Sequence, residues 1–451
     1  MTSASLEPST PAVVAPPARR GFRAVLQSIA SKSLILALQA GTGILTARIL
    51  GPSGRGELAA MILWPLFIAN TTTFGVPSSL IYYMRCRPKE RDGLATNGFL
   101  LATVLGLAAA AVAAVILPWW LHRYSASVIR YAECFLFTVP LCSMTLAGRA
   151  TLEASHDFSA SNTIQTLTPL ATLVVLLLFF AAHSLDPYTA AIAYIVASLP
   201  SFLLMLDRIW RAGLRVARIQ FAVLKRILGY GIRSYGIDIL GTLALQVDQV
   251  LVVSLLSARD MGSYVVVLSI SRMLNVFQTS VVMVLFPKAA GRSKEHVLAV
   301  TGSSVRISVL ATAVCGAAVC IAGPDLLRVV YGPEYAAAAG ALRFLVLEAI
   351  LSGMTFVLAQ AFMALNRPGV VTVLQALGLS LCIPMMLLLI PRYGIDGAVI
   401  SLLVSTTARF LFVCAGFGIF LKTRPPRLVP GAEDLRMLGG AMRGLLKERT
   451  A

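Results

Sequence analysis

Seven basic side chains lie where an apolar environment should exclude them: Lys32, Arg149, Arg233, Arg272, Arg306, Arg343 and Arg409 all fall inside long hydrophobic stretches. A charge at the centre of a bilayer costs about 3 kcal/mol on insertion scales. Each therefore needs an interior partner, a wet cavity or a helix end from which to snorkel. Arg149, Arg233, Arg306 and Arg343 are near enough to stretch ends to snorkel; Lys32 and Arg272 are less easily placed that way. Helical spacing, at about 100° per residue, sorts the polar residues into stripes. Ser28, Lys32, Gln39, Gly43 and Thr46 share one face, and Arg272, Asn275 and Thr279 share another. Ser234, Asp238, Thr242 and Gln249 form a third, with Asp248 beside it; Glu348, Ser352 and Thr355 form a fourth, and Ser401, Ser405 and Arg409 a fifth. Stripes of this kind can simply hold helices together. Five of them, several charged, favour a water-filled cleft. Asp238, Asp248 and Glu348 are the acids best placed to bind a cation or proton there, or to neutralise its arginines.

Other chemistries have little support. His122, His156, His183 and His296 are isolated, so no metal site is expected. The seven cysteines form no C-x-x-C pair and read as small packed hydrophobes. No nucleophile triad and no P-loop appears. The expectation is a protein with no catalytic residues, no cofactor and no use of ATP.

The elements that must position these side chains follow from composition. Of the 451 residues, 57% are hydrophobic and only 13% charged, and the mean hydropathy is +0.81. A run of about 20 apolar residues can cross a bilayer, and lipid forces it to be helical because no water is present to satisfy its backbone. Twelve spans are read at 24–47, 57–84, 94–117, 128–152, 160–182, 187–206, 228–256, 262–287, 299–322, 338–364, 370–391 and 395–421. Span 2 is long enough to require a bend, with Pro65 and Pro77 as the expected kinks. An Ala-, Pro- and Ser-rich segment, 1–23, reads as a disordered tail, and 422–451 as a second, basic one. The Arg19-Arg20 pair resembles an export signal, but Lys32 interrupts the apolar run behind it and no cleavage site is evident.

Charge placement sets orientation. Segments on the side of both termini carry 24 Lys and Arg, against 7 on the other side. By the positive-inside rule both ends are cytoplasmic. The same placement assigns most of the net charge of +18 to orientation and to contact with lipid headgroups, so nucleic acid is not needed as a partner. A shift of about 206 residues lays Gly56 on Gly262 and span 2 on span 8, and the basic linker 207–227 falls at the midpoint. The expected fold is an all-α polytopic membrane protein with about 12 transmembrane helices. It forms two six-helix lobes in parallel pseudo-repeat, 24–206 and 228–421, around a central cleft.

Particular motifs then narrow the reading. Ala47-Arg48-Ile49-Leu50-Gly51-Pro52 with Gly54 and Gly56, followed by Gly75-Val76-Pro77-Ser78, resembles the first hairpin of bacterial polysaccharide-lipid flippases. These belong to the multidrug/oligosaccharidyl-lipid/polysaccharide (MOP) exporter superfamily. Lipid II flippases of that superfamily share the Ala-Arg-x-x-Gly ending of span 1 and an Arg-Leu or Arg-Met pair early in span 8, here Arg272-Met273. Val247-Asp248-Gln249 and Gly262-x-Tyr264 likewise resemble the start of the second lobe in polysaccharide flippases. The resemblance implies that Arg48 and Arg272 face the cavity and hold a substrate pyrophosphate; the polar stripes add Lys32, Gln39, Asn275 and Arg409 as further candidates for binding it. Charge counting instead puts Arg48 at the outer edge. Lipid II flippases have fourteen spans; the polar final 30 residues favour the polysaccharide branch.

The implied function is a flippase of the bacterial cytoplasmic membrane. It moves a polyprenyl-pyrophosphate-linked oligosaccharide to the outer leaflet by alternating access, with polysaccharide polymerase and glycosyltransferases as partners in the same biosynthesis. A multidrug antiporter of the same fold is the alternative, although span 1 offers Lys32 and no acid. A lipid II flippase is a second alternative. A membrane polymerase or ligase is disfavoured because the longest outer loop, 323–337, has no His and only two acids.

Overall fold

A computed structural model describes residues 18–289 and 292–428, and within them every regular element is helical. The first half of the chain comprises α1 (Ala18–Thr71), α2 (Val76–Cys86), α3 (Arg91–Trp120), α4 (Ala126–Phe135), α5 (Val139–Ala154), α6 (Phe158–Ala181), α7 (Pro187–Val196) and α8 (Ser198–Arg211). The second comprises α9 (Phe221–Leu255), α10 (Ala258–Met273), α11 (Asn275–Ala289), α12 (Lys294–Leu326), α13 (Ala339–Ala364) and α14 (Pro368–Leu421). Among the described residues, ten helical stretches are long and apolar enough to cross a membrane. Two of them, α1 and α14, turn back at one glycine each: Gly51 (φ 66, ψ 179) and Gly394 (φ 59, ψ −132). Both conformations lie outside the range open to residues with a Cβ. Twelve traverses result, six to each lobe, in a multi-pass membrane protein.

Sequence and structure part company at several boundaries. Helix resumes at Pro52 directly after Gly51, so span 2 starts five residues before the expected Glu57. Pro65 stays within continuous helix; the break comes at Thr72–Gly75, where Gly75 has φ 69 and Pro77 occupies the first turn of α2. Proline there needs no backbone N–H, so it starts a helix at no cost. Of the proposed tail 1–23, residues 18–23 belong to α1, and residues 1–17 lie outside the described residues. The second tail is described only to 428. The linker shortens to 212–220 and docks on α3: Arg91 donates to the Ala212 carbonyl (3.0 Å), and the Gln220 amide donates to Asn97 Oδ1 (3.0 Å).

The lobes meet in two places. At the charge-poor end, the second limb of α1 crosses α10 where Gly56 and Gly262 face each other. A Cβ on Gly56 would collide with the Ala258 carbonyl, and one on Gly262 with that of Pro52. The two residues that the repeat aligned are thus the contact about which the halves are paired. Toward the basic end, α9 lies against α2: Gly75 abuts Gly231, Ser79 Oγ donates to the Ile227 carbonyl (2.8 Å) and Tyr82 stacks on Tyr230 (4.5 Å). The farther half of α9 packs on α14 in the second lobe. One helix therefore belongs to both lobes.

Candidate functional site

The helix of span 8 is interrupted at Leu274, between α10 and α11. Arg272 and Asn275 line different cavities, although they share a face in the sequence. Arg272, with Gln39 of α1 and Gln249 of α9, lines a cavity of about 190 Å³ at the junction of the lobes. Its Nη2 donates to the Leu245 carbonyl (2.7 Å) and to Asp248 Oδ2 (3.1 Å) and Oδ1 (3.3 Å). The two partners are exposed to very different degrees: 36% for the Arg272 side chain and 3% for that of Asp248. Asp248 also accepts from the Tyr264 hydroxyl (2.8 Å). A buried carboxylate thus anchors an arginine whose remaining N–H donors reach an open space. This arrangement suits an anion, because a planar guanidinium can give paired, charge-assisted hydrogen bonds to phosphate oxygens.

Asn275 and Thr279 line a second cavity of about 360 Å³, enclosed by α9, α11, α13 and α14 of the second lobe. Glu348, Ser352, Thr355, Ser405 and Arg409 share it. The fourth and fifth polar stripes therefore converge, but inside a lobe rather than in the cleft between the lobes. Thr406 donates to Glu348 Oε1 (2.8 Å). Leu245 is common to both sites: its carbonyl holds Arg272 and its side chain lines the larger cavity.

The other expected residues lie apart from Arg272. Lys32 and Gln39 are exposed on the first limb of α1, and only Gln39 reaches the Arg272 cavity. Arg48 does not face that cavity. Its Nη1 donates to the carbonyls of Val329 (2.6 Å) and Val330 (3.4 Å) at the charge-poor end, as charge counting indicated and against the carry-over. The adjoining Tyr335 hydroxyl donates to the Ala47 carbonyl (3.1 Å), a second tie between the lobes at this end. Asp238 accepts from Ser78 (3.1 Å) across the lobe seam, away from Asp248 and Glu348. The three acids are not gathered at one point.

Sequence reasoning singled out Tyr264 only as part of a motif and missed its bond to Asp248, as it missed Gln278, Thr406 and the burial of Arg55. Gln278 follows Asn275 by three residues and was readable as part of that stripe. Arg55, between Gly54 and Gly56 of the first hairpin, counts by charge placement among the seven basic residues of the outer side. It is only 9% exposed and lies beside Tyr331 and Tyr335, because helix follows Gly51 at once and turns it inward. Tyr124, in the loop after α3 at the same end, is held above its ordinary range by burial, with the charges of Asp260 and Glu57 adding to the effect.

A family model described as a polysaccharide biosynthesis protein matches residues 23–291. No curated protein matches the chain by sequence. Among solved structures, the lipid II flippase MurJ in an inward closed conformation superposes with a TM-score of 0.73 at 12% identity, over 89% of this chain and 88% of that one. An inward-facing multidrug resistance MATE family transporter of the MOP superfamily gives a TM-score of 0.70 at 15% identity, over 86% and 95%. A MOP superfamily transporter from Pyrococcus furiosus gives 0.60 at 14% identity, over 89% and 96%. These likenesses show that the chain shares the fold of those transporters.

Proposed function

Because this chain belongs to the polysaccharide biosynthesis protein family, we propose that it is a flippase of the bacterial cytoplasmic membrane, with both termini cytoplasmic. Its substrate is an oligosaccharide linked through pyrophosphate to a polyprenol, carried from the inner to the outer leaflet. The observation that carries this reading is Arg272: anchored by Asp248, 36% exposed, and facing a cavity between the lobes. On this reading the charge-poor end, where Arg48 and Tyr335 tie the lobes together, faces the outside, and the cleft is closed there. The pyrophosphate enters from the inner leaflet and pairs with the guanidinium, while the isoprenoid remains in lipid. Rocking of the lobes about the Gly56–Gly262 crossing then exposes the headgroup outside. An interior-negative membrane favours this direction for an anion, at about 2.3 kcal/mol per charge for about 100 mV.

The test is a proteoliposome assay with a short-chain polyprenyl-pyrophosphoryl oligosaccharide in the bilayer, scored by its accessibility to an external glycosidase. Protein-dependent exchange between leaflets is expected. Absence of exchange, combined with transport of organic cations by the same vesicles, overturns the proposal in favour of a multidrug antiporter.

A further inference from the structure

We infer that the cavity within the second lobe is a sugar chamber, which takes the monosaccharide next to the pyrophosphate while Arg272 holds the phosphates. This rests on the flippase reading. At about 360 Å³ the cavity sits at the low end of the roughly 300–1,000 Å³ of small-molecule sites, and so admits one ring rather than an oligosaccharide. Its polar lining is made of amides and hydroxyls with one charge of each sign, the mixture that matches vicinal sugar hydroxyls.

Two of its polar atoms are buried and have no partner among the described residues: Asn275 Oδ1, an acceptor, and Arg409 Nε, a donor. Buried polar atoms are nearly always satisfied, and leaving one unmet costs about 1–3 kcal/mol. The chamber is also built around its polar groups. The aliphatic stem of Arg409 lies over Gly378, and the amide of Gln278 lies over Gly353 while donating to the Ala349 carbonyl (2.9 Å). A Cβ at either glycine would displace the polar side chain above it. Arg409 argues against a cation as occupant, because its guanidinium, like that of Arg272, acts on the one acid present, Glu348. Leu245 lines this chamber and its carbonyl accepts from Arg272, which brings the chamber to within one residue of that guanidinium, as a sugar esterified to pyrophosphate requires.

The experiment measures binding to the full-length protein in nanodiscs. Its ligands are farnesyl diphosphate and its glucosyl, galactosyl and N-acetylglucosaminyl esters. Wild type is expected to bind at least one ester about tenfold more tightly than the bare diphosphate, since one or two satisfied hydrogen bonds supply that ratio. Asn275→Ala and Arg409→Gln are expected to bring the ratio near one, and Arg272→Gln to weaken all ligands together while preserving it. Measurable binding of the bare diphosphate shows that each variant is folded. The chamber proposal fails, and the flippase reading stands, if the wild-type ratio is near one. It also fails if Asn275→Ala and Arg409→Gln leave the ratio intact, as a chamber holding only water would. If wild type binds neither diphosphate nor esters, the flippase reading falls, and this proposal with it.

Discussion

Replacing Arg272 with alanine removes two things at once, and the geometry allows them to be separated. Asp248 is 3% exposed and has two side-chain partners, Arg272 and the Tyr264 hydroxyl. Without the guanidinium, a buried carboxylate keeps a single hydrogen bond. Stranding one member of a fully buried pair costs roughly 3–5 kcal/mol. Because Arg272 is 36% exposed and partly screened, about 2 kcal/mol is the expected loss of stability. That is enough to lower membrane abundance several-fold. Arg272→Ala combined with Asp248→Asn removes the stranded charge and should return abundance to that of Asp248→Asn alone. Export should not return with it. A desolvated charge-assisted contact to pyrophosphate is worth about 2–5 kcal/mol, so the double variant should export at least tenfold less per molecule than Asp248→Asn. Arg272→Lys should recover only part, since an ammonium keeps the charge and loses the fork. The assay is polymer export in cells lacking the native protein, normalised to protein in the membrane. Equal export by the double variant and by Asp248→Asn would show that Arg272 serves only to neutralise Asp248.

Three further outcomes are expected. Reporter fusions after residues 90, 215 and 430 should read cytoplasmic and one after 258 external; an external signal at 215 would dismantle the two-lobe topology. Gly262→Ala should abolish export and lower thermal stability because its Cβ meets the Pro52 carbonyl, whereas Gly236→Ala, inside α9 with open space around it, should leave stability unchanged or raise it by up to about 1 kcal/mol; a melting temperature that falls equally for both would refute the close-crossing argument. Glu348→Gln or Asp238→Asn should alter the pH or sodium dependence of transport in vesicles, and if Asp238→Asn, Asp248→Asn and Glu348→Gln each leave both dependences intact, coupling lies elsewhere.

The fold was largely legible because lipid leaves the chain few options. Hydropathy located every span to within several residues, and the alignment of Gly56 with Gly262 marked a real contact. The misreadings share a physical cause. Single residues, not composition, decide where a helix bends. Gly51 breaks α1 with its left-handed φ, whereas Pro65 is carried within continuous helix. Periodicity groups residues by helix face and says nothing of which neighbouring helices that face meets. The stripe of Arg272, Asn275 and Thr279 reads as one surface, yet its members line two different cavities. Pairings such as Asp248 with Tyr264, or Glu348 with Thr406, join residues distant in sequence and leave no periodic trace.

Helix α9 ties these observations together. Its near half is fastened to the first lobe through the Ile227 carbonyl, Asp238 and Tyr235, whose hydroxyl donates to the Thr71 carbonyl. Its far half carries Asp248 and packs on the second lobe. Two bodies joined by one helix can rock only if that helix bends or lets go of one of them. Between the two attachments lie Gly241, with open space around it, and Leu245, whose carbonyl is hydrogen-bonded to Arg272. A pyrophosphate that draws the guanidinium away from Leu245 weakens the tie between span 8 and α9 at the segment that must deform. On the proposed reading, the residue that grips the substrate also holds span 8 to α9. A bound headgroup therefore has a different interaction energy with the braced and released arrangements, which is the condition a ligand must meet to shift a conformational equilibrium.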